Sequence, residues 1–250
     1  PESRLMRMNN NGADICHNVQ IAVDGKNHLV VAVDVTSEPV DKQQFHNIAS
    51  QAKEELGVEQ ITAIADKGYY SASEFAKCKE DNILPIVSKA DHSHTAATIG
   101  YGKSKFRYDE EKGGYICPQG HVLRAYEKRK GNTKYADHRR YVNPKACSGC
   151  PARDKCTTNK RGRTIYDRAF QRIADEVDRR TAENFDTYKK RQQLAEHPFG
   201  TLKRNFGFSY FLTRGTENVR TESIMHFLIY NMKRVINVMG TEKLIGILEG

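Results

Sequence analysis

No run of residues in this chain approaches the roughly 20 continuous apolar positions that a membrane-spanning helix needs. Nothing near Pro1 has the charged, apolar and small-residue parts of a signal peptide. Together these absences exclude a helical membrane protein and make the cytoplasm the expected compartment. An initiator methionine is also lacking, so sequence upstream of Pro1 is expected. There is no internal repeat and no low-complexity tract. Acidic residues are in short supply: 31 Asp+Glu face 40 Lys+Arg, for a net charge of +9. That balance suits a polyanionic partner better than an acidic ligand or a neutral metabolite. The surplus is local, because residues 124–163 hold thirteen Lys or Arg against only Glu127, Asp137 and Asp154. At 250 residues the chain has room for one large domain, or for a domain carrying a substantial insertion.

Hydrophobic patterning organises the first 90 residues. HNVQIAVD (17–24) and HLVVAVDVT (28–36) are β-rich runs joined by Gly25, Lys26 and Asn27, the pattern of a hairpin opening the chain. In residues 41–57, Phe45, Ile48, Ala52 and Leu56 recur at helical spacing, with Asp41 as cap and Gly57 as stop. ITAIA (61–65) is a short continuous apolar run of the kind covered on both faces. A helix over 71–81, capped by Ser71 or Ser73, and a strand over 82–89 follow. Residues 91–163 lose periodicity and carry four of the six cysteines, which reads as an insertion without an apolar core. Helical patterning returns over 165–204. A last amphipathic helix over 216–239 would place Val219, Phe227, Leu228, Met232, Val235 and Ile236 on its apolar side. The divisions expected are therefore 1–90, 91–165 and 166–250.

Two carboxylates stand out. Asp66 ends the apolar run ITAIA, and Glu196 lies 130 residues later in the cationic, helix-like YKKRQQLAEHPFGTLKR (188–204). An aspartate fixed at a strand end and a glutamate on a helix can hold one hard divalent cation, the arrangement that phosphodiester chemistry requires. Beside Asp66, Gly68 would allow close approach of backbone to a phosphate and Lys67 would neutralise one. A second constellation is Cys117, Cys147, Cys150 and Cys156, spaced C-x29-C-x2-C-x5-C, with His121 nearby. A four-cysteine zinc site is the leading reading, its metal supplying folding free energy to the insertion. Reduced structural thiols, disulfides outside the cytosol and an iron–sulfur cluster are the alternatives. Cys16 and Cys78 are isolated and expected to be buried apolar residues. Around the cluster, Tyr101, Tyr108, Tyr115, Tyr126, Tyr135 and Tyr141 alternate with Lys and Arg, including Arg139 and Arg140, as on a surface lying along DNA.

Five ordered segments resemble the DDE transposases of bacterial insertion sequences, in the branch with a cysteine-bearing insertion. PESRLM (1–6) is similar to the family's Asp-Pro-Asp/Glu-Ala/Ser-Arg-x-Met segment, HNVQIAVD to its Tyr-Asn-x-Gln-x-Ala-Val-Asp strand, and ADKGYYS (65–71) to its second-aspartate motif. AEHPFGTLKR (195–204) and ENVRTESIMHFLIYNMKR (217–234) are similar to its glutamate helix and its Tyr-Asn-Leu-Lys-Arg helix. The resemblance implies an α/β, ribonuclease-H-like mixed sheet flanked by helices, with one further strand before Val19 and the cysteine insertion ahead of the glutamate helix. It implies Asp66 and Glu196 as the second and third catalytic carboxylates, Mg2+ or Mn2+ as cofactor and in-line displacement at phosphorus. The partners implied are double-stranded DNA, as transposon ends and target, and a second copy in a homodimer or larger assembly, associated with the nucleoid.

Tyr188, Arg191, Glu196 and Lys203 further resemble the tyrosine-arginine-glutamate-lysine signature of related transposases, with Arg204 beside them. That signature leaves three residues between arginine and glutamate, whereas four stand here, which turns Arg191 by about 100° on an ideal helix. Glu196 and Lys203, seven apart, would face one groove. Pro198 is positioned to kink the helix. The family's first aspartate stands immediately before the proline that is Pro1 here, so the first catalytic carboxylate is expected upstream. Asp24 and Asp34 are poorly placed for that role, and Asp14 has no clear strand around it. Two rivals are a nuclease of the same fold that cuts without joining, and a non-catalytic DNA-binding remnant.

Overall fold

The computed structural model describes residues 2–7, 12–89, 101–126, 139–167 and 170–249. Tyr135 and the parts of the basic insertion at 91–100 and 127–138 lie outside them. The chain forms two compact units: Pro1–Lys89 together with Ile173–Gly250, and Ala90–Arg172.

The first unit is mixed α/β. Strands β1 (Arg4–Arg7) and β2 (Ala13–Cys16) form an antiparallel pair ahead of the expected hairpin, so Asp14 does lie in a strand. The hairpin follows as β3 (Asn18–Val23) and β4 (Val30–Thr36), antiparallel and bulged between Ala22 and Val23. Asp24 shapes its turn by accepting from the backbone N–H groups of Lys26 (3.0 Å) and Asn27 (2.6 Å). Helix α1 (Phe45–Glu55) begins later than the pattern suggests, because residues 41–43 form a 3₁₀ turn. Asp41 does not cap α1. Its carboxylate accepts from the amides of Asn18 (2.7 Å) and Gln20 (2.8 Å), a pull across the fold that local spacing does not reveal. Gly57, at φ +61°, does stop the helix.

Strand β5 (Ile61–Ala65) leads to α2 (Ala72–Glu80) and to β6 (Ile83–Val87), which pairs parallel with β5. Phe45, Ala49, Phe75, Cys78, Ile83 and Val87 form the core between them. Burial pushes the Cys78 thiol up to about 12, as expected of an inert apolar filler, while Cys16 on β2 is only half-buried. Contrary to the reading of its sequence, β5 is not covered on both faces: Thr62 is exposed and its neighbours are half-buried, whereas β6 is almost wholly buried.

The helical return is two helices, α4 (Gln171–Glu183, taking α3 for a short helix in the second unit) and α5 (Phe185–Asn205). Pro198 lies inside α5 without ending it. Helix α6 (Thr216–Met239) matches its expected span and buries Val219 and Phe227 as expected, but Ser223 and Tyr230 complete the inward stripe while Leu228, Met232 and Ile236 are exposed. The reason is a polar docking of α6 on the hairpin. Asn231 donates to the Val30 carbonyl (2.7 Å) and accepts from its N–H (2.8 Å). Tyr230 and Arg234 donate to the carbonyls of His28 (3.2 Å) and Asn27 (2.6 Å). At the other end of α6, the Thr216 N–H donates to Glu2 (2.6 Å). Helix α7 (Thr241–Glu249) closes the chain. Among the described residues no helix is long and apolar enough to cross a membrane.

The second unit is an antiparallel five-stranded sheet in the order β11-β10-β9-β8-β7, formed by β7 (Arg107–Asp109), β8 (Gly114–Ile116), β9 (Val122–Tyr126), β10 (Arg139–Val142) and β11 (Thr164–Asp167). Helix α3 (Pro144–Ser148) follows β10, N-capped by Asn143. Residues 165–167, expected at the start of a helix, thus belong to a strand. The expectation of no apolar core also fails: Phe106, Tyr115, Leu123, Tyr141 and Ile165 are buried together, and Tyr115 and Tyr141 meet edge to face at 5.1 Å. Tyrosine supplies what the Lys- and Gly-rich composition conceals.

Candidate active site

Asp66 is the first residue beyond β5 and caps a 3₁₀ turn over Lys67–Tyr69. Two tyrosines pin that turn from below. Tyr69 donates to the side-chain carbonyl of Gln20, and Tyr70 donates to Asp178 at 2.7 Å. Their rings meet Phe45 (6.3 Å) and Phe75 (5.2 Å) edge to face. Burial, reinforced by the charges of Asp41 and Asp66, pushes the Tyr69 phenol well above its usual range, so it stays a donor. Asp66, Lys67 and Gly68 are left exposed on a rigid support.

Helix α5 brings the other groups. Its Arg191 guanidinium lies 3.2 Å from Asp66 Oδ1 and 4.8 Å from the centre of the nearly buried Tyr188 ring. Despite the altered spacing, Arg191 therefore reaches the strand-end carboxylate directly. Asp66, Arg191 and Glu196 line one cavity of about 440 Å³, whose walls are β3, β5, α1 and α5. Glu196 is exposed. Lys203 is not brought there: it lines a separate cavity of about 980 Å³ with Glu2, His17 and His226. Arg204 is exposed on the last turn of α5. Asp24 lines the first cavity too, but the N–H groups of its own turn hold its carboxyl below the usual range against the opposing effect of burial. Asp34 accepts from Asn47 (2.6 Å) and faces Arg220 (3.7 Å), and Asp14 is exposed.

Asn18, Gln20, Asp41, Tyr69, Tyr70 and Asp178 hold the Asp66 turn, and sequence reasoning gave none of them this role. One signal was available: Asn18 and Gln20 are polar residues two apart, hence on one face, in an otherwise apolar strand.

In the second unit, Cys117, Cys147, Cys150 and Cys156 line one small cavity of about 30 Å³ together with His121 and Arg163. Burial raises the Cys156 thiol, Arg163 opposes this, and the other three thiols add to it. Even so, among the described residues no three His, Cys, Asp or Glu side chains converge closely enough to hold a metal ion. Arg140 stacks 4.2 Å over Tyr126, and its neighbour on β10, Arg139, is exposed.

These features define a mixed α/β protein in which a strand-end aspartate and a helix glutamate, distant in sequence, open on one cavity. Residues 116–236 match the family model described as Transposase DDE domain, and over that stretch the chain is similar to the DDE transposases. The matched stretch contains the four clustered cysteines and Glu196, while Asp66 lies ahead of it. No curated protein and no solved structure matches the chain. The family implies DNA as substrate and divalent-metal chemistry.

Proposed function

We propose that this chain is the catalytic core of a bacterial insertion-sequence transposase, which cuts transposon-end DNA and joins it to target DNA. The observation that carries the reading is the convergence of Asp66 and Glu196 on one cavity. The antiparallel β3–β4 pair and the parallel β5–β6 pair, flanked by α1 and α5, support a ribonuclease-H-like frame.

The donor set fits a hard divalent cation in type, since Asp66 and Glu196 offer oxygen ligands on two rigid elements. Mg2+ or Mn2+ bound there would supply a activated oxygen nucleophile and stabilise the leaving oxygen. The chain's own residues do the rest. Arg191 orients the Asp66 carboxylate, and the Tyr188 ring supports the guanidinium. Lys67, exposed beside Asp66, with Lys203, Arg204, Arg139 and Arg140, would neutralise DNA phosphates. No covalent protein intermediate is involved. A homodimer or larger assembly on DNA belongs to the same proposal.

Asp66→Ala should abolish metal-dependent cleavage of end DNA while leaving DNA binding intact; cleavage at the parental rate would refute the assignment. One finding favours a second reading, a non-catalytic DNA-binding protein: although Asp24 lines the same cavity, among the described residues no three His, Cys, Asp or Glu side chains come close enough together to hold a metal ion. Cleavage without joining would instead indicate a nuclease.

A further inference from the structure

Helix α6 is apolar on two sides, and among the described residues only one of them is covered. Val219, Ser223, Phe227 and Tyr230 turn inward, where β4 and α5 pack. Met225, Leu228, Ile229, Met232 and Ile236 fall in a sector of about 100° on roughly the opposite side of an ideal helix. They are left between 38% and 60% exposed. A helix with apolar residues all round is normally buried all round. Along the outer sector, Met225, Leu228, Met232, Val235 and Met239 follow the alternating three- and four-residue steps of a helix–helix seam. Val235 and Met239 are half-buried, so the open part of the seam is Met225 to Met232, with Ile229 and Ile236 beside it.

Charge and area decide what covers this face. From Thr221 to Ile236 the sector holds no charged residue, and Lys233 stands only at its border. Glu222, on the same border, is already engaged by the N–H groups of Leu212 and Thr213. DNA, which binds through cations, gains nothing there. A second copy does. The chain carries a net charge of +9, so two copies repel wherever basic surfaces meet and approach best through a face without charge. Five half-exposed side chains of this size leave roughly 500 Å² of apolar surface on each copy, more than half of the about 800 Å² that each partner contributes to a standard interface. Exposed Thr221 and Lys233 begin the polar rim that such an interface carries. An uncharged face ridged at a single spacing is also complementary to itself, as a two-fold contact requires.

We propose that the outer face of α6 is a two-fold interface joining two copies of this chain, with Met225, Leu228 and Met232 at its centre. This gives a surface to the homodimer included in the transposase reading, but the contact needs none of that reading's chemistry.

The test measures the mass of the 250-residue protein by sedimentation equilibrium. The parental protein should pass from monomer to dimer between about 1 and 100 µM. Leu228→Glu with Met232→Glu puts two carboxylates on each face and should weaken association by about a hundredfold or more. Thermal unfolding at the lowest concentration should not change, because both positions are exposed. Met225→Lys, at the most exposed of the five positions, repeats the test with one change and should weaken association by about tenfold. The control, Leu5→Glu with Ile15→Glu, alters an exposed apolar pair that faces across β1 and β2, and it should dimerise like the parent. A parent still monomeric at about 100 µM would overturn the proposal. So would a dimer that survives the changes on α6. Monomers that bind phosphatidylcholine vesicles would assign the face to a lipid surface instead. Mass in solution does not depend on DNA cleavage: a dimer that cuts nothing refutes the transposase reading alone, and a monomer that cuts and joins DNA refutes this interface alone.

Discussion

The two units handle strand edges in opposite ways. In the residue 90–172 unit, five short strands form one unbroken antiparallel ladder, and tyrosine rings fill the core on a basic, Gly-rich sequence. In the other unit longer and more apolar strands remain as three separate pairs, and two of those pairs border an apolar gap. Among the described residues, apolar content therefore does not predict which region forms one continuous ladder. Completeness follows from whether each ladder finds its partners within the same stretch of chain.

The comparison is broken most forcefully at Tyr141, which is 2% exposed and meets both Tyr115 and Tyr108 edge to face. Tyr141→Ala should cost about 3–5 kcal/mol and melt the antiparallel sheet first, as read by hydrogen exchange in residues 107–126. A smaller effect is expected from chelation. If the four thiols hold zinc, a strong chelator should release about one ion per chain and loosen residues 144–163 while the tyrosine core persists. Metal analysis showing neither zinc nor iron in freshly purified protein would remove the metal altogether.

The smallest effect concerns Glu222 in the α/β unit, whose carboxylate accepts from the N–H groups of Leu212 and Thr213 (both 2.9 Å) and from the Thr213 hydroxyl (2.6 Å). Burial opposes ionisation, but these bonds hold its carboxyl below the usual range. Its contribution is thus complete above the unfolded-state value near 4.5 and is lost as pH falls through the lower folded-state value. Glu222→Gln should cost about 1–2 kcal/mol at neutral pH. Denaturant titrations of the two proteins should converge as the pH drops below 4; a constant gap would contradict the ionised-acceptor account.

Most of the α/β framework was legible in the sequence, because the β-rich run of residues 28–36 and the helical spacing of 45–56 report burial locally, while the continuous run of 61–65 marked a strand but overstated its burial. The second unit was not, since its strands are three to five residues long and its core residues are largely tyrosines among cations. Asp41 misled for a related reason: a residue that suits a helix cap is drawn away by two amides from a strand more than 20 residues earlier. On α6 the hydrophobic pattern marked Val219 and Phe227 correctly but added the exposed Leu228, Met232 and Ile236, because Asn231 and Tyr230 dock through hydrogen bonds, which apolar periodicity does not register. At the site, Asp66 and Glu196 were visible as residue types in context. The anchoring of the Asp66 turn by Gln20 depends on contacts no linear spacing encodes.

The α/β unit is built from two stretches of chain, residues 1–89 and 173–250, that flank the second unit in sequence, with Glu2 latched to the N–H of Thr216. During translation the earlier half must wait on the order of ten seconds for the later half to leave the ribosome. The intervening tyrosine-cored sheet is free to close first, and the nascent β3–β4 hairpin stays without α6 throughout that interval. Protein synthesis thus imposes a timetable on this architecture, one in which the inserted sheet matures before the unit whose two stretches flank it.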